Sequence, residues 1–204
     1  MRQRTIFNLL IVILIGIGIQ HIPLQQAFAE KPPESIPFAV YTESTSRNNH
    51  FVPSGWMGDY DAISISQDCK DDPRSGATCI KIIYTAELTQ GAGWVGVFWQ
   101  NPENNWGTKG GGFNLSNAKR LSIWARGAKG GEKMEFKVGG ITGAYPDSDM
   151  IGIGPLELTD EWAEYVVGLE GVDMSYVSGG FVWAASRMDN PDGAVIYMDD
   201  IIYE

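Results

Sequence analysis

The clearest fold signal in this chain is Lys133-Met134-Glu135-Phe136-Lys137-Val138, in which charged and apolar side chains alternate without a break. Successive side chains of a β-strand point to opposite faces, so the apolar residues share one face and the charged residues share the other. The stretch therefore predicts a strand of an antiparallel sheet, with one face packed on a core and the other in water.

Similar short runs, rich in β-branched and aromatic residues, recur along the chain between glycines and prolines. The predicted strands are residues 38–41, 62–67, 79–85, 94–99, 121–126, 133–138, 162–169, 180–184 and 195–203. One moderately helical stretch, residues 156–165, contains Thr-Asp-Glu and is equally compatible with a strand, a turn and a second strand. We therefore predict an all-β fold, a two-sheet antiparallel β-sandwich of about nine strands.

The N-terminus has the order of a secretory signal peptide. Arg2 and Arg4 precede an apolar run over residues 6–19, and Ala27-Phe28-Ala29 offers a small-x-small cleavage site. The run is shorter than the roughly twenty apolar residues that a transmembrane helix needs. We therefore predict that residues 1–29 are a signal peptide, with an uncleaved anchor as the alternative.

Two further segments follow the predicted signal peptide. Residues 30–37 contain three prolines and predict a spacer that stays out of the core, whereas residues 38–204 show no further change in composition and predict one domain. The net charge of −10 repels phosphate backbones, which argues against nucleic acid as a partner. The mature protein is expected to be secreted, extracellular or periplasmic, with no membrane contact after signal cleavage.

The chain has two cysteines, Cys69 and Cys79. An even number of cysteines in an exported chain is typical of a disulfide, because exported proteins fold in oxidising compartments. The residues between them are polar and turn-rich, so the bridge would join the two strands of a hairpin, with a gain of about 2–3 kcal/mol. Two free thiols are the alternative.

Residues 93–107 concentrate three tryptophans and several side-chain amides in fifteen positions. Flat apolar rings can stack on the faces of pyranose sugars, and amides both donate and accept hydrogen bonds. This composition indicates a surface that binds carbohydrate. Tryptophans are also common in protein cores, so the direction in which each ring points decides between the two interpretations.

Strand parity separates the rings of this block. In a strand over residues 94–99, Trp94 and Phe98 share one face, and Gly96 leaves a gap between them. The opposite face is the better core face, and its residues are Val95, Val97 and Trp99. Trp94 is thus a candidate for ligand contact, whereas Trp99 is expected in the core.

Trp56 and Trp106 lie in segments with turn signals, where a ring either folds back onto the core or projects for binding. We place both rings in the candidate sugar site, with neighbouring amides to recognise hydroxyl groups. The predicted carbohydrate-binding residues are Trp56, Trp94, Trp106, Gln100, Asn104 and Asn105.

Signatures of catalysis are few. His50 is the one histidine after the predicted cleavage site, so neither a Ser-His-Asp triad nor a multi-histidine zinc site can be assembled. The chain has enough acidic residues for a carboxylate-pair glycosidase, and a lyase that uses Tyr145 with Lys137 is also open. We predict that the protein is not an enzyme, with these two activities as alternatives.

Three segments carry a family resemblance. They are residues 113–127, which contain a predicted middle strand; residues 156–169, with Leu-Thr-x-x-Trp; and residues 195–204, with Tyr-x-Asp-Asp-Ile. In this order and spacing they resemble β-jelly-roll carbohydrate-binding modules with the galactose-binding-like fold. The resemblance spans residues 38–204 and implies a non-catalytic protein whose partner is a poly- or oligosaccharide. A structural or protein-interaction β-sandwich of the cell envelope, with buried aromatic rings, is the alternative.

The resemblance also implies a structural calcium ion, held by a carboxylate of the closing strand and by oxygens near the first strand. Asp199 matches the closing-strand position, Glu43 is our candidate from the first strand, and Asp59 is a second candidate. Calcium accepts six to eight oxygen ligands in loose geometry, which suits such a set. Alternatively, Asp199 caps a strand end or pairs with a lysine.

Overall fold

The computed structural model describes residues 31–204, and the predicted signal peptide lies outside the described residues. Over this range the chain forms eleven strands and one short 3-10 turn. The strands are β1 (Phe38–Tyr41), β2 (Val52–Gly58), β3 (Ile63–Cys69), β4 (Cys79–Tyr84), β5 (Trp94–Gln100), β6 (Arg120–Gly127), β7 (Lys133–Gly139), β8 (Met150–Glu157), β9 (Ala163–Gly168), β10 (Gly179–Ser186) and β11 (Ala194–Tyr203). Within residues 31–204, no helix has the length and apolar character needed to cross a membrane.

The strands form two antiparallel sheets. One sheet has the order β3-β4-β11-β6-β9, with β1 paired to β11 as well, and the other has the order β2-β5-β10-β7-β8. This architecture confirms the predicted all-β sandwich. Residues 156–165 form the end of β8, a turn and the start of β9, so the strand-turn-strand interpretation is correct.

Strands β2 and β8 are missing from the predicted set. Pro53 and Gly55 interrupt the pattern of β2, and Gly152, Gly154 and Pro155 interrupt that of β8. Both strands lie at the edges of the five-stranded sheet, where a proline removes no central ladder hydrogen bond. Proline and glycine therefore mark edge strands here and not loops.

The core lies between the two sheets. Met134, Phe136 and Val138 of β7 are all at most 1% exposed, as the alternation predicts. The Phe181 ring lies with its centroid 5.1 Å from Trp99 and 5.7 Å from Phe136. Each such fully buried side chain contributes about 1.5–3 kcal/mol relative to an exposed one.

The segment before β1 differs from its prediction as a spacer clear of the core. Glu34 N donates to Asn114 O (2.8 Å), and Asn114 Nδ2 donates to Lys31 O (2.6 Å). Ile36 is partly buried against the main core. Two prolines next to each other did not keep the segment in solvent, because hydrogen bonds to Asn114 hold its backbone on the domain.

Candidate functional site

Strand β5 divides its side chains between the core and the outer face of the five-stranded sheet, as parity predicts. Val95, Val97 and Trp99 are fully buried, whereas Trp94 is 41% exposed. Phe98 shares the face of Trp94 but is only 9% exposed, because other side chains cover it. The outer face of β5 is therefore the starting point of the candidate site.

Four aligned residues, one from each of four neighbouring strands, cross the sheet at the centre of this face. Met57 of β2 lies opposite Gly96, Gly96 lies opposite Ala184 of β10, and Ala184 lies opposite Glu135 of β7. Ala184 carries only a methyl group, and a groove of about 410 Å³ opens above it, with Met57 and Trp94 in its lining. The groove runs across the strands.

Two neighbouring side chains, Met57 and Trp94, lean into the predicted gap at Gly96. A Cβ at this position would lie 2.9 Å from Cε of Met57 and 3.4 Å from Cζ3 of Trp94. The absence of a side chain thus lets both groups lean over the backbone of β5. Trp94 and Met57 form one end of the groove.

Phe98 and Val182 lie opposite each other and form an apolar wall on the other side of the floor. The Trp106 ring stands edge-on to Phe98, with centroids 5.8 Å apart and planes at 83°. Trp106 keeps 43% of its surface exposed. The loop ring therefore projects beside the groove and does not fold back into the core.

Two of the predicted amides support the Trp106 loop from below. Gln100 and Asn105 are fully buried. Gln100 Nε2 donates to Asn105 O (3.0 Å), and Gln100 Oε1 accepts a hydrogen bond from Ser54 Oγ (2.9 Å). Asn105 Nδ2 donates to Lys109 O (2.9 Å). We therefore correct the assignment of Gln100 and Asn105 from ligand contact to support of the loop.

Asn104 is the predicted amide that remains on the surface. Its side chain is exposed, while its backbone N–H donates to Ser54 Oγ (3.0 Å). Its φ of 55° lies in the left-handed region, which asparagine tolerates better than most residues. Asn104 is thus held next to Trp106 with its amide free to reach solvent.

Trp56 is 40% exposed but is not part of the groove. It lies opposite Val97, whose side chain is in the core, whereas its neighbour Met57 lies opposite Gly96. The structure therefore places Trp56 on the other face of the sheet from Trp94. An irregularity between Pro53 and Gly55 shifts the register of β2, and a shift of one residue exchanges the faces of all following side chains.

The far end of the groove is charged. Glu135 and Lys137, from the exposed face of β7, form an ion pair and line the groove together with Lys133. Sequence reasoning described this face only as the wet side of a strand. The alternation of charged and apolar residues predicts that Glu135 and Lys137 are exposed, but alternation does not reveal which exposed strand face borders a groove.

The acidic residues proposed as calcium ligands fall into two separate places. Asp59 precedes β3, whose first residue, Ile63, is aligned with Tyr84 and through it with Ala194 of β11. Asp199 lies five residues farther along β11, a distance of about 17 Å in an extended strand. Asp59 therefore does not belong to one site with Asp199.

Asp59 has a structural role. It is fully buried, and its carboxylate accepts hydrogen bonds from backbone N–H groups of Gln90 (2.7 Å), Ala92 (3.0 Å) and Gly93 (2.6 Å). Burial acts to raise the pKa of Asp59, but these hydrogen bonds outweigh burial and hold the pKa below its ordinary value. The carboxylate thus fastens the loop between β4 and β5 just before Trp94.

Asp199 and Glu43 both contact the loop between β3 and β4. Asp199 Oδ2 accepts a hydrogen bond from Ser75 N (3.2 Å), and Glu43 accepts from Ala77 N (2.7 Å) and Thr78 Oγ1 (2.6 Å). Burial raises the pKa of Asp199 to about 6, and backbone N–H groups oppose that rise only in part.

Arg74, from the same loop, supplies the positive charge of this acidic cluster. Its guanidinium bonds to Asp200 (2.6 Å) and lies 4.0 Å from the centre of the Trp124 ring. Among residues 31–204, no group of three or more His, Cys, Asp or Glu side chains is arranged to hold a metal ion. N–H donors surround the carboxylates where calcium would need oxygens. In this arrangement the residues do not fit a calcium ion, and calcium stays a prediction of the resemblance alone.

The two cysteines lie directly opposite each other, Cys69 at the end of β3 and Cys79 at the start of β4. Both are buried, and both are thiols in this structure. Burial, with a further contribution from Cys69, raises the pKa of the Cys79 thiol to about 12. The pairing matches the predicted hairpin, and the disulfide itself stays a prediction.

Comparison with known proteins identifies solved structures that share this fold. No protein-family model and no curated protein sequence matches the chain. A family 30 carbohydrate-binding module of the cellulosomal cellulase Cel9D-Cel44B of Clostridium thermocellum matches 83% of this chain and 98% of its own, at 15% identity and a TM-score of 0.57. The family 11 module of the cellulase Lic26A-Cel5E of the same organism matches 85% and 95%, at 8% identity and a TM-score of 0.51. The chain has the β-jelly-roll fold of carbohydrate-binding modules.

Proposed function

We propose that this protein is secreted and binds poly- or oligosaccharide without catalysis, in the groove on the outer face of its five-stranded sheet. The observation that carries this proposal is a groove that has the small residue Ala184 on its floor and the exposed Trp94 ring in its lining, with the exposed Trp106 ring next to Phe98. Trp94 offers a flat ring at one end, and Trp106 offers a second ring next to Phe98. Rings of this kind bury large apolar areas against sugar faces.

The exposure of the rings favours binding over the alternative of a structural β-sandwich with buried aromatics. Trp94 and Trp106 are 41% and 43% exposed, so a ligand can reach both. A loop supported by Gln100 and Asn105 holds Trp106 in place before a ligand arrives. Preorganisation of this kind lowers the entropic cost of binding.

Non-catalytic binding is supported by the state of the carboxylates that line the groove. Glu135 is paired with Lys137, and Asp189 accepts a hydrogen bond from Ser186 Oγ (2.6 Å). A glycosidase needs one carboxyl group to donate a proton and a second to act as a base or nucleophile. In this groove both carboxylates are instead held by a neighbouring side chain, Glu135 by Lys137 and Asp189 by Ser186.

The experiment is isothermal titration of the mature protein against a panel of glucans, xylans, mannans and galactans. We expect binding that is lost or weakened at least tenfold in Trp94→Ala and Trp106→Ala, because each ring contributes stacking area. Trp56→Ala is the matched control, since Trp56 is equally exposed but lies on the other face of the sheet. Its affinity should equal that of the wild type.

The absence of binding to every polysaccharide in the panel would refute the proposal. Equal losses in Trp56→Ala and Trp94→Ala would also contradict it, because they would place the ligand outside the groove. Release of reducing ends from a bound polysaccharide would show that the protein is an enzyme.

A further inference from the structure

The ion pair of Glu135 and Lys137 lies in a position that two glycines of β8 create. Lys137 is opposite Gly152, where a Cβ would lie only 2.5 Å from Cγ of Lys137. At Gly154, whose φ is +125°, a Cβ would lie 3.0 Å from Cγ of Glu135. The glycines therefore let both charged side chains lie along the sheet over β8.

This placement keeps the pair accessible while it leaves the floor open. The side chains of Glu135 and Lys137 are 36% and 38% exposed, and both line the groove. If the two side chains stood upright, they would narrow the groove above Ala184, which lies directly opposite Glu135. The pair thus borders the groove with one hydrogen-bond acceptor and one donor.

The pair and the tryptophans lie at different ends of the groove. Strand β10 separates β5, which carries Trp94, from β7, which carries the pair. Two strand spacings amount to about 10 Å. A single sugar ring can contact only one of the two ends, whereas a linear chain of several sugars that crosses the strands contacts both.

We infer that the Glu135–Lys137 pair binds hydroxyl groups of a linear oligosaccharide whose other end stacks on Trp94. The inference rests on the proposed function. A carboxylate accepts hydrogen bonds from two neighbouring hydroxyl groups, and the ammonium group of Lys137 donates to hydroxyl or ring oxygens. Hydrogen bonds to charged groups are stronger than those between neutral groups, so the pair determines which hydroxyl arrangement fits.

The test is titration of the mature protein with a series of linear oligosaccharides, from a monosaccharide to a hexasaccharide, of a polymer that the wild type binds. We expect the affinity of the wild type to rise with chain length and then level off once both ends of the groove are filled. Glu135→Gln and Lys137→Gln should each lower the affinity for the longer chains about tenfold or more, as expected for loss of a charged hydrogen bond. Their affinity for the shortest ligands should not change.

Glu157→Gln is the control for the loss of one negative charge at the same sheet edge. Glu157 is opposite Lys133 on β8 and is largely exposed. Its affinity should match that of the wild type at every chain length. The melting temperatures of all variants identify any loss of fold. The double variant Glu135→Gln/Lys137→Gln, in which both side chains are uncharged, provides a second test of how affinity depends on chain length.

The outcomes separate this inference from the proposed function. If the wild type binds no saccharide, the proposed function fails and the inference fails with it. If Trp94→Ala abolishes binding while the Glu135 and Lys137 variants keep the wild-type length profile, the protein binds sugar but the pair does not contact it. A gain with length that persists in the double variant also overturns the inference.

Discussion

A disulfide between Cys69 and Cys79 would close a loop of eleven residues, and its effect on stability can be worked out. The chain-entropy model gives about 3 kcal/mol for a loop of this length. In a domain of this size, 1 kcal/mol changes the melting temperature by about 2–4 °C. We therefore expect reduction of the bridge to lower the melting temperature by roughly 6–12 °C.

Burial of the cysteines determines how the measurement must be made. Cys79 is fully buried and Cys69 is 8% exposed, so a reductant reaches the folded bridge slowly. The pKa of the Cys79 thiol, raised to about 12 by burial, also leaves little thiolate for exchange in the folded, reduced protein at neutral pH. The protein should therefore be unfolded, reduced and refolded in the presence of the reductant before its melting curve is recorded.

The assay compares thermal unfolding of the oxidised and reduced wild type by circular dichroism. The double variant Cys69→Ala/Cys79→Ala is the control, and the reductant should leave its melting temperature unchanged. Thiols are counted in denaturant on protein secreted from an oxidising compartment, where we expect none. Two titratable thiols, together with equal melting temperatures in both conditions, would refute the reasoning.

Four further predictions concern single positions. Asp59→Asn should lower the melting temperature at pH 7, because it weakens the acceptor of three N–H groups. The pKa of Asp59 in the folded protein lies below the ordinary value, so the stability that its carboxylate contributes is present above about pH 4 and is lost as the pH falls through the folded pKa. The melting temperatures of the wild type and of Asp59→Asn should therefore converge in acid. Gln100→Ala should cost about 1–3 kcal/mol and also weaken sugar binding, since the Trp106 loop loses its support; an unchanged urea midpoint would contradict this. Ala184→Leu should fill the groove floor and abolish binding, with a stability change within about 0.5 kcal/mol; retained affinity would place the ligand elsewhere. Arg74→Gln should lower the free energy of unfolding by about 1–3 kcal/mol, because Asp200 loses its ion pair. EDTA should leave the melting temperature of the wild type unchanged. A fall in the melting temperature on addition of EDTA would show that the cluster of Asp199 binds a metal ion after all.

Regular alternation was sufficient to predict the central strands and their faces. Val97 and Trp99 are buried and Trp94 is exposed because β5 keeps a period of two from end to end. Trp56 was predicted in a loop and no strand face was assigned to it, because Pro53 and Gly55 interrupt the pattern of β2 and the irregularity between them determines the face on which it lies. Local sequence therefore predicts a face only where the register is unbroken.

The polar residues of the site were harder to predict than the rings. Gln100 and Asn104 are both amides in or next to one loop, yet the first is fully buried and the second is exposed. Gln100 bonds to Ser54 and to Asn105 O through its side chain, whereas Asn104 bonds to Ser54 only through its backbone N–H, and both contacts with Ser54 are long-range in sequence. Glu135 and Lys137 became candidates only when the register of β8 placed glycines beside them.

Met57, and not Trp56, lies at the edge of the groove, and this affects how easily the groove can change shape. Methionine has no branch, a polarisable sulfur and three rotatable bonds, so this edge can change shape with little cost. Met150, which is 61% exposed, gives the opposite edge the same property. A groove whose rigid aromatic rings are accompanied by two flexible thioether borders should accept chains that differ in side groups. The same thioethers make it sensitive to oxidants, since a sulfoxide at either border would turn an apolar contact polar.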